Sequence, residues 1–207
     1  MFITFEGIEG VGKSTHIQFV AELLRQKAIP FILTREPGGT EIGEEVRQIL
    51  LKHRAGTVSN MTELLLMFAA RAQHFSEVIQ PALAKQDWVL CDRFVDASYA
   101  YQGGGRGMEA SEIDVLTRLI LNGFHPDLTF IFDADPELGL NRAKHRAQTF
   151  DRFEQEDLDF FARVRQVYLM RAKQDPKRCR VIDASRSISE IQQELQTILE
   201  SDLKSSE

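Results

Sequence analysis

The stretch Gly7-Ile8-Glu9-Gly10-Val11-Gly12-Lys13-Ser14 constrains this chain more than any other. It has the spacing GxxxxGK[ST], with apolar Phe2–Glu6 before it and an apolar stripe at Ile17, Val20 and Leu24 after it. Glycines at these places let the backbone curl until several N–H groups converge on one point. The helix that follows adds the positive end of its dipole. Lys13 supplies a mobile positive charge for β- and γ-phosphates, and Ser14 is placed to ligand Mg2+. A chance match in a chain of this length is on the order of 1%, so a glycine-rich turn with an incidental lysine is the weaker alternative. The motif speaks strongly for nucleoside triphosphate binding and weakly for any one reaction.

Around it the chain alternates short apolar runs with helical patterns. The runs Phe2–Glu6, Phe31–Thr34, Trp88–Asp92, Leu128–Asp133 and Arg180–Asp183 are nearly continuous in apolar residues, as for parallel strands covered on both faces. Apolar stripes at Ile42, Val46 and Ile49, at Leu116, Ile120 and Leu121, and at Phe160, Val164, Val167 and Tyr168 predict helices between them; the last runs from about 155 to 174. Ser187 and Glu190 have capping-box spacing ahead of Ile191, Leu195 and Leu199. This β-α-β alternation predicts a three-layer α/β fold around a parallel sheet, with ligands beyond the carboxyl ends of the strands. The 207 residues fit a single domain, and Ser201–Glu207 reads as a polar tail. Hydrophobic residues at 43% and charged residues at 27% exclude a disordered or disulfide-scaffold chain. A net charge of −6 argues against a nucleic-acid partner. No run approaches a membrane span, and Glu6, Glu9 and Lys13 interrupt any signal-like stretch. Cys91 and Cys179 lie far apart and read as reduced, buried thiols of a cytoplasmic protein.

Five further segments carry candidate chemistry. Arg35-Glu36-Pro37-Gly38-Gly39-Thr40 follows the second strand; Arg35 there can fork onto a phosphate, or pair with Glu36 at the surface. Asp92-Arg93 ends the third strand. Asp92 suits Mg2+ and Arg93 suits charge on a transferring phosphoryl group, while a local ion pair is the plainer reading. Arg142 and Arg146 are one turn apart, which favours an anion between them, or else a solvated cationic face paired with Glu154 and Glu156. Tyr99-Ala100-Tyr101-Gln102-Gly103 offers either a wall for a flat base or core tyrosines before a loose loop. Phe68 with Arg71 offers either a stacking face or ordinary core.

Taken in order, Gly7–Ser14, Arg35–Thr40, Asp92-Arg93-Phe94, Ala100-Tyr101-Gln102-Gly103 and Asp151-Arg152-Phe153-Glu154-Gln155-Glu156 resemble the bacterial thymidylate kinases, over nearly the whole chain. The resemblance implies a P-loop NTPase-type fold with a five-stranded parallel sheet, flanking helices and a mobile lid at about 142–152. It implies transfer of the γ-phosphoryl of ATP to dTMP with Mg2+, by a homodimer. By motif match Gly7, Ile8, Glu9, Gly10, Val11, Gly12, Lys13, Ser14 and Thr15 would hold ATP, with Arg142 beside them. Ser14 and Asp92 would serve the metal. Glu9 would meet the dTMP sugar, and Arg35, Pro37 and Gly38 its phosphate. Phe68 would stack on thymine and Arg71 donate to one of its carbonyls, with Ser98 at the base edge and Gln102 near the nucleoside. Tyr101 would crowd a 2′-hydroxyl. Lys13 and Arg93 would be catalytic. Gly10 stands where eukaryotic relatives carry an arginine, so the resemblance hands that role to Arg146 or Arg152 in the lid. Many relatives set the stacking ring four residues before the arginine; here Met67 holds that place, and Phe68 and Met67 are both candidates. Phe94 replaces a common tyrosine. Another nucleoside or nucleotide kinase, with Glu36 as base toward a hydroxyl, and a nucleotide-gated switch are the competing readings.

Overall fold

The computed structural model describes residues 1–53, 56–146, 152–153 and 155–204, and the side chains of all of these except 144–146 and 202–204. Five strands lie where continuous apolar sequence predicts them: β1 (Phe2–Glu6), β2 (Phe31–Arg35), β3 (Trp88–Asp92), β4 (Leu128–Asp133) and β5 (Cys179–Asp183). They form one all-parallel sheet in the order β2-β3-β1-β4-β5. Both faces are covered, so consecutive residues of a strand enter different cores. Ile3 and Phe5 point into the cluster that holds Val20, Leu24, Leu195 and Leu199. Phe2 points the other way, toward Leu64, Phe68, Ile79 and Leu121.

The connections are right for parallel strands, which need long crossovers. Helix α1 (Lys13–Gln26) links β1 to β2. Then come α2 (Glu41–Leu51), α3 (Asn60–His74) and, after a π-helical turn at Phe75–Ile79, α4 (Gln80–Ala84). Beyond β3 are α5 (Val95–Ser98), a second π-helical stretch at Tyr99–Gly105, and α6 (Ala110–Leu121). Helices α7 (Pro136–Arg146), α8 (Leu158–Gln174) and α9 (Ile188–Lys204) complete the chain. This is the P-loop NTPase-type α/β architecture. The Ser187–Glu190 capping box forms as the spacing predicts: the Ser187 N–H donates to Glu190 Oε2 at 3.0 Å, and the Glu190 N–H to Ser187 Oγ at 3.3 Å.

Two expectations need correction. On α2 the buried face is Gly43, Val46 and Leu50, while Ile42 and Ile49 stay 51% and 44% exposed. The face is set by Ala70 and Leu66 of α3 and by the close approach of Gly43 to the Gly38 carbonyl, which hydrophobicity along α2 does not reveal. At the C-terminus α9 runs on through 201–204, so the polar tail begins as helix; 205–207 lie outside the described residues.

Candidate active site

The carboxyl ends of β1, β2 and β3 open onto a cavity of about 240 Å³. From the phosphate loop Glu9, Gly10, Gly12, Lys13 and Ser14 line it; from β2 and its turn, Arg35, Glu36 and Pro37; from β3 onward, Asp92, Arg93, Ser98, Tyr101 and Gln102. Arg71 and Met67 reach it from α3. The structure therefore gathers most of the residues that the sequence singled out.

The loop itself has little slack. At Gly10, φ is +73°, and a Cβ there would sit 1.8 Å from the Gly139 carbonyl oxygen of α7. Backbone meets backbone, so no arginine or any other side chain fits at this position. Behind it Ile8 and Val11 are core residues. Gly12 caps α1 in the left-handed conformation, and Ser14 and Thr15 lie exposed in the first turn. The Lys13 ammonium donates to the carbonyls of Gly7 at 3.0 Å and Ile8 at 2.7 Å. Burial and the neighbouring charge of Arg93 bring its pKa down to about 8.

Arg93 follows β3 with φ at +70°, a left-handed conformation that costs a non-glycine residue roughly 1–2 kcal/mol. Backbone and side-chain bonds hold it there. Its N–H donates to the Phe5 carbonyl at 3.0 Å, and the next N–H, of Phe94, donates to Glu6 Oε1 at 2.7 Å. The guanidinium donates to the Gly7 carbonyl at 2.8 Å, to the Tyr168 hydroxyl at 3.2 Å and to Glu9 Oε1 at 2.9 Å. It also lies 4.7 Å from the centre of the Tyr101 ring. The Tyr101 hydroxyl donates to Glu9, and the Tyr168 hydroxyl to Glu6 Oε2 at 2.8 Å. Glu6 is fully enclosed; burial, and then the charge of Asp96, push its pKa up to about 8. Asp92 Oδ1 is buried with no hydrogen-bond partner among the described residues.

At the other end Arg71 is almost fully buried yet reaches the cavity. Nε donates to Glu36 Oε2 at 2.7 Å, Nη1 to Ser98 Oγ at 2.9 Å and Nη2 to the Phe94 carbonyl at 3.0 Å. Glu36 is thus the partner of Arg71, not of Arg35. Arg35 turns to Glu44 at 2.9 Å and stays half exposed. Gln102 donates to Glu63 at 2.9 Å.

Several expected site residues sit elsewhere. Phe68 is 1% exposed among core side chains and does not line the cavity. It shares the buried stripe Leu64-Phe68-Arg71 of α3, and its ring lies 4.6 Å under the Arg71 guanidinium, so beside Arg71 it is Met67, not Phe68, that α3 turns to the pocket. Gly38 lies behind Pro37 against Glu44. Arg142 donates to the Ala184 carbonyl at 2.8 Å. Arg152 is not on the cavity wall: Nε donates to the Leu50 carbonyl at 3.0 Å and Nη2 to the enclosed Glu63 at 2.5 Å. Of the expected lid, residues 147–151 and the side chain of Arg146 lie outside the described residues. Sequence reasoning missed Glu63 and His74 as polar partners and the hydroxyl of Tyr168. Each looks like an ordinary helix position until tertiary structure buries it. Arg47, which lines the cavity and donates to the Pro37 carbonyl at 3.0 Å, was equally silent.

The comparisons with known proteins agree among themselves. The family model described as thymidylate kinase matches residues 5–195. The chain is 52% identical to a thymidylate kinase of Pseudomonas savastanoi pv. phaseolicola, over 96% of this chain and 94% of that one. It is 49% identical to the thymidylate kinase of Alcanivorax borkumensis, over 96% and 95%. Among solved structures, the thymidylate kinase of Ehrlichia chaffeensis superposes with a TM-score of 0.78 at 38% identity, covering 97% of this chain and 98% of that one.

Proposed function

The chain belongs to the thymidylate kinase family, and from that premise we propose how its cavity works. It is a nucleoside monophosphate kinase that converts dTMP to dTDP. We assign ATP as the phosphoryl donor, held at Gly7–Thr15 with Arg142 nearby. dTMP lies toward Arg35, Arg71, Ser98, Tyr101 and Gln102. One observation carries this reading: a single cavity joins the phosphate loop to a buried guanidinium, with Asp92–Phe94 touching both. Arg93 bonds the loop at Gly7, and the carbonyl of Phe94 accepts from Arg71.

The acceptor phosphate already carries anionic oxygens at neutral pH, so no strong base is needed. Catalysis reduces to in-line positioning and charge neutralisation. Lys13 leaves its loop carbonyls for the donor phosphates. Arg93, braced by Glu9, Tyr168 and the Gly7 carbonyl, presents positive charge where the two phosphate groups meet. Arg35 exchanges Glu44 for the dTMP phosphate. Arg71 has donors only, so its two remaining N–H groups select a base that offers a carbonyl. The Tyr101 ring, edged by Phe153 and Phe160, closes the sugar side against a 2′-hydroxyl. Ser14 and Asp92 Oδ1, which has no hydrogen-bond partner among the described residues, fit Mg2+, which takes few protein ligands and several waters. When bound, it would neutralise phosphate charge. Among the described residues no cluster of three or more His, Cys, Asp or Glu competes as a metal site. Arg146 remains the lid arginine assigned to the phosphates; Arg152 serves there only by leaving Glu63.

We further assign a homodimer. Helices α3 and α6 pack together, and each leaves an apolar pair in solvent at i,i+4 spacing: Met61 and Leu65, Val115 and Leu119. No described helix is long and apolar enough to cross a membrane. A cytoplasmic setting suits the two free, buried thiols of Cys91 and Cys179.

A coupled ADP-release assay with ATP and dTMP, dUMP, UMP or thymidine tests the reading. Rapid release with dTMP and little with thymidine is expected. Equal turnover of thymidine would point to a hydroxyl acceptor, and ADP release that ignores the acceptor would point to a switch.

A further inference from the structure

We propose that His74, which does not line the cavity, is a positioning residue for base selection: seated between Thr34 and Glu36, it fixes the carboxylate that aims Arg71. The inference rests on the reading of this cavity as the dTMP pocket.

His74 closes α3 one turn beyond Arg71, on the same buried face, and is completely enclosed. Its Nδ1 lies 2.9 Å from Glu36 Oε1, and its Nε2 lies 2.5 Å from Thr34 Oγ1. The Glu36 carboxylate accepts, so Nδ1 carries a hydrogen, and Nε2 shares a hydrogen bond with the threonine hydroxyl. The other carboxylate oxygen of Glu36 takes Arg71 Nε at 2.7 Å. The order is therefore Thr34 to His74 to Glu36 to Arg71, with both Glu36 contacts buried and the Thr34 contact partly so. Gly39 packs against this pair: a Cβ there would lie 2.6 Å from His74 Cδ2 and 2.6 Å from Thr34 Oγ1, so no side chain fits beside the ring.

The consequence concerns what Arg71 can read. Three of its five N–H groups go to Glu36, Ser98 and Phe94, which leaves one hydrogen on each terminal nitrogen. A pyrimidine with a carbonyl at C4 accepts from such a donor. One with an amino group there opposes donor to donor and leaves both unsatisfied. That discrimination holds only while the guanidinium cannot rotate away. Ser98 and the Phe94 carbonyl hold the two terminal nitrogens, and Glu36 holds the Nε end, but a carboxylate held at one oxygen turns about its own axis. His74 holds the second oxygen and locks the fork.

The test compares His74→Phe, which keeps a ring and removes both hydrogen bonds, with His74→Asn, whose amide can still donate to Glu36. Steady-state kcat and KM are measured for dTMP and dCMP at saturating ATP, with the KM for ATP and the melting temperature. For His74→Phe the account predicts that the dTMP-to-dCMP ratio of kcat/KM falls about tenfold or more, the scale of one hydrogen bond. The loss should come mainly through the KM for dTMP, with the KM for ATP unchanged and the ratio largely restored in His74→Asn. A folded His74→Phe enzyme with a lower melting temperature and an unchanged ratio overturns the proposal. Should that variant fail to fold, Thr34→Val decides in its place: a lowered ratio supports the relay and an unaltered one refutes it. A wild-type enzyme that uses neither nucleotide defeats the functional reading itself, and is distinguished by that control.

Discussion

At the Arg71 end of the cavity the charged groups are bonded into one buried set; at the Lys13 end Arg93 pairs with Glu9, while Lys13 rests on backbone carbonyls. Arg71, Glu36, His74 and Ser98 form a closed, buried set in which each hydrogen bond is made before any ligand arrives. Around the phosphate loop Ser14 is exposed, Lys13 rests on loop carbonyls, and Asp92 keeps a buried oxygen without a partner among the described residues. In the proposed reading, selectivity for the base is thus built into the resting fold. Charge neutralisation is an exchange, in which arriving phosphates replace the contacts that Lys13 and Arg35 make in their absence.

The largest expected effect breaks the closed side. Arg71→Leu strands the buried Glu36 carboxylate, and removing one partner of such a pair costs about 3–5 kcal/mol. Urea unfolding should show that loss. On the open side Lys13→Met removes a charge that burial already disfavours, so the same measurement should show stability unchanged or raised while activity disappears. Matching losses in the two variants would erase the contrast.

Next comes Arg93→Ala, which should lower kcat by roughly 10²-fold or more, the scale for losing one preorganised donor to the transition state. Stopped-flow or steady-state turnover at saturating ATP and dTMP checks it; near-normal kcat would remove Arg93 from the mechanism.

A smaller effect comes from pH. With a pKa near 8 in the free protein against 10.5 for an ordinary lysine, Lys13 loses its proton as pH rises through about 8. Phosphate binds the charged form, so ATP affinity should fall across that range and binding should take up protons there. Calorimetry in two buffers of different ionisation heat measures the uptake. dTMP affinity, governed by Arg71, should change much less over the same interval.

The smallest effect belongs to Tyr101. Its hydroxyl bonds Glu9, and the proposed reading gives the crowding to its ring. Tyr101→Phe should therefore keep most of the preference for deoxyribose, and Tyr101→Ala should admit ribonucleotides. Competition between dTMP and its ribose analogue reads both.

What was legible in the sequence follows the same division. Strands buried on both faces advertise themselves as unbroken apolar runs, and four of the five start where the sequence puts them; β5 starts one residue earlier, and β2 runs one residue further. The phosphate loop is readable because its chemistry is local: eight consecutive residues and the helix behind them. Asp92 and Arg93 were visible because strand ends in a parallel sheet share one rim. The closed network was not readable, since Thr34, Glu36, Arg71 and His74 are joined only when β2 and α3 pack. Phe68 misled for a related reason. An aromatic beside a cavity-facing arginine looks like a stacking residue, yet the stripe it shares with Leu64 turns it to the core and leaves Met67 toward the pocket. On α2, neighbouring apolar residues at 49, 50 and 51 allow two faces, and only the packing against α3 chooses Leu50.

A crystal structure of the protein with dTMP alone tests the central claim most directly. The account predicts that Arg71 keeps its bonds to Glu36 and Ser98, and that the thymine 4-carbonyl oxygen lies about 3 Å from a terminal nitrogen of its guanidinium. A complex in which the Arg71–Glu36 pair has opened, or in which the base avoids Arg71, would contradict it.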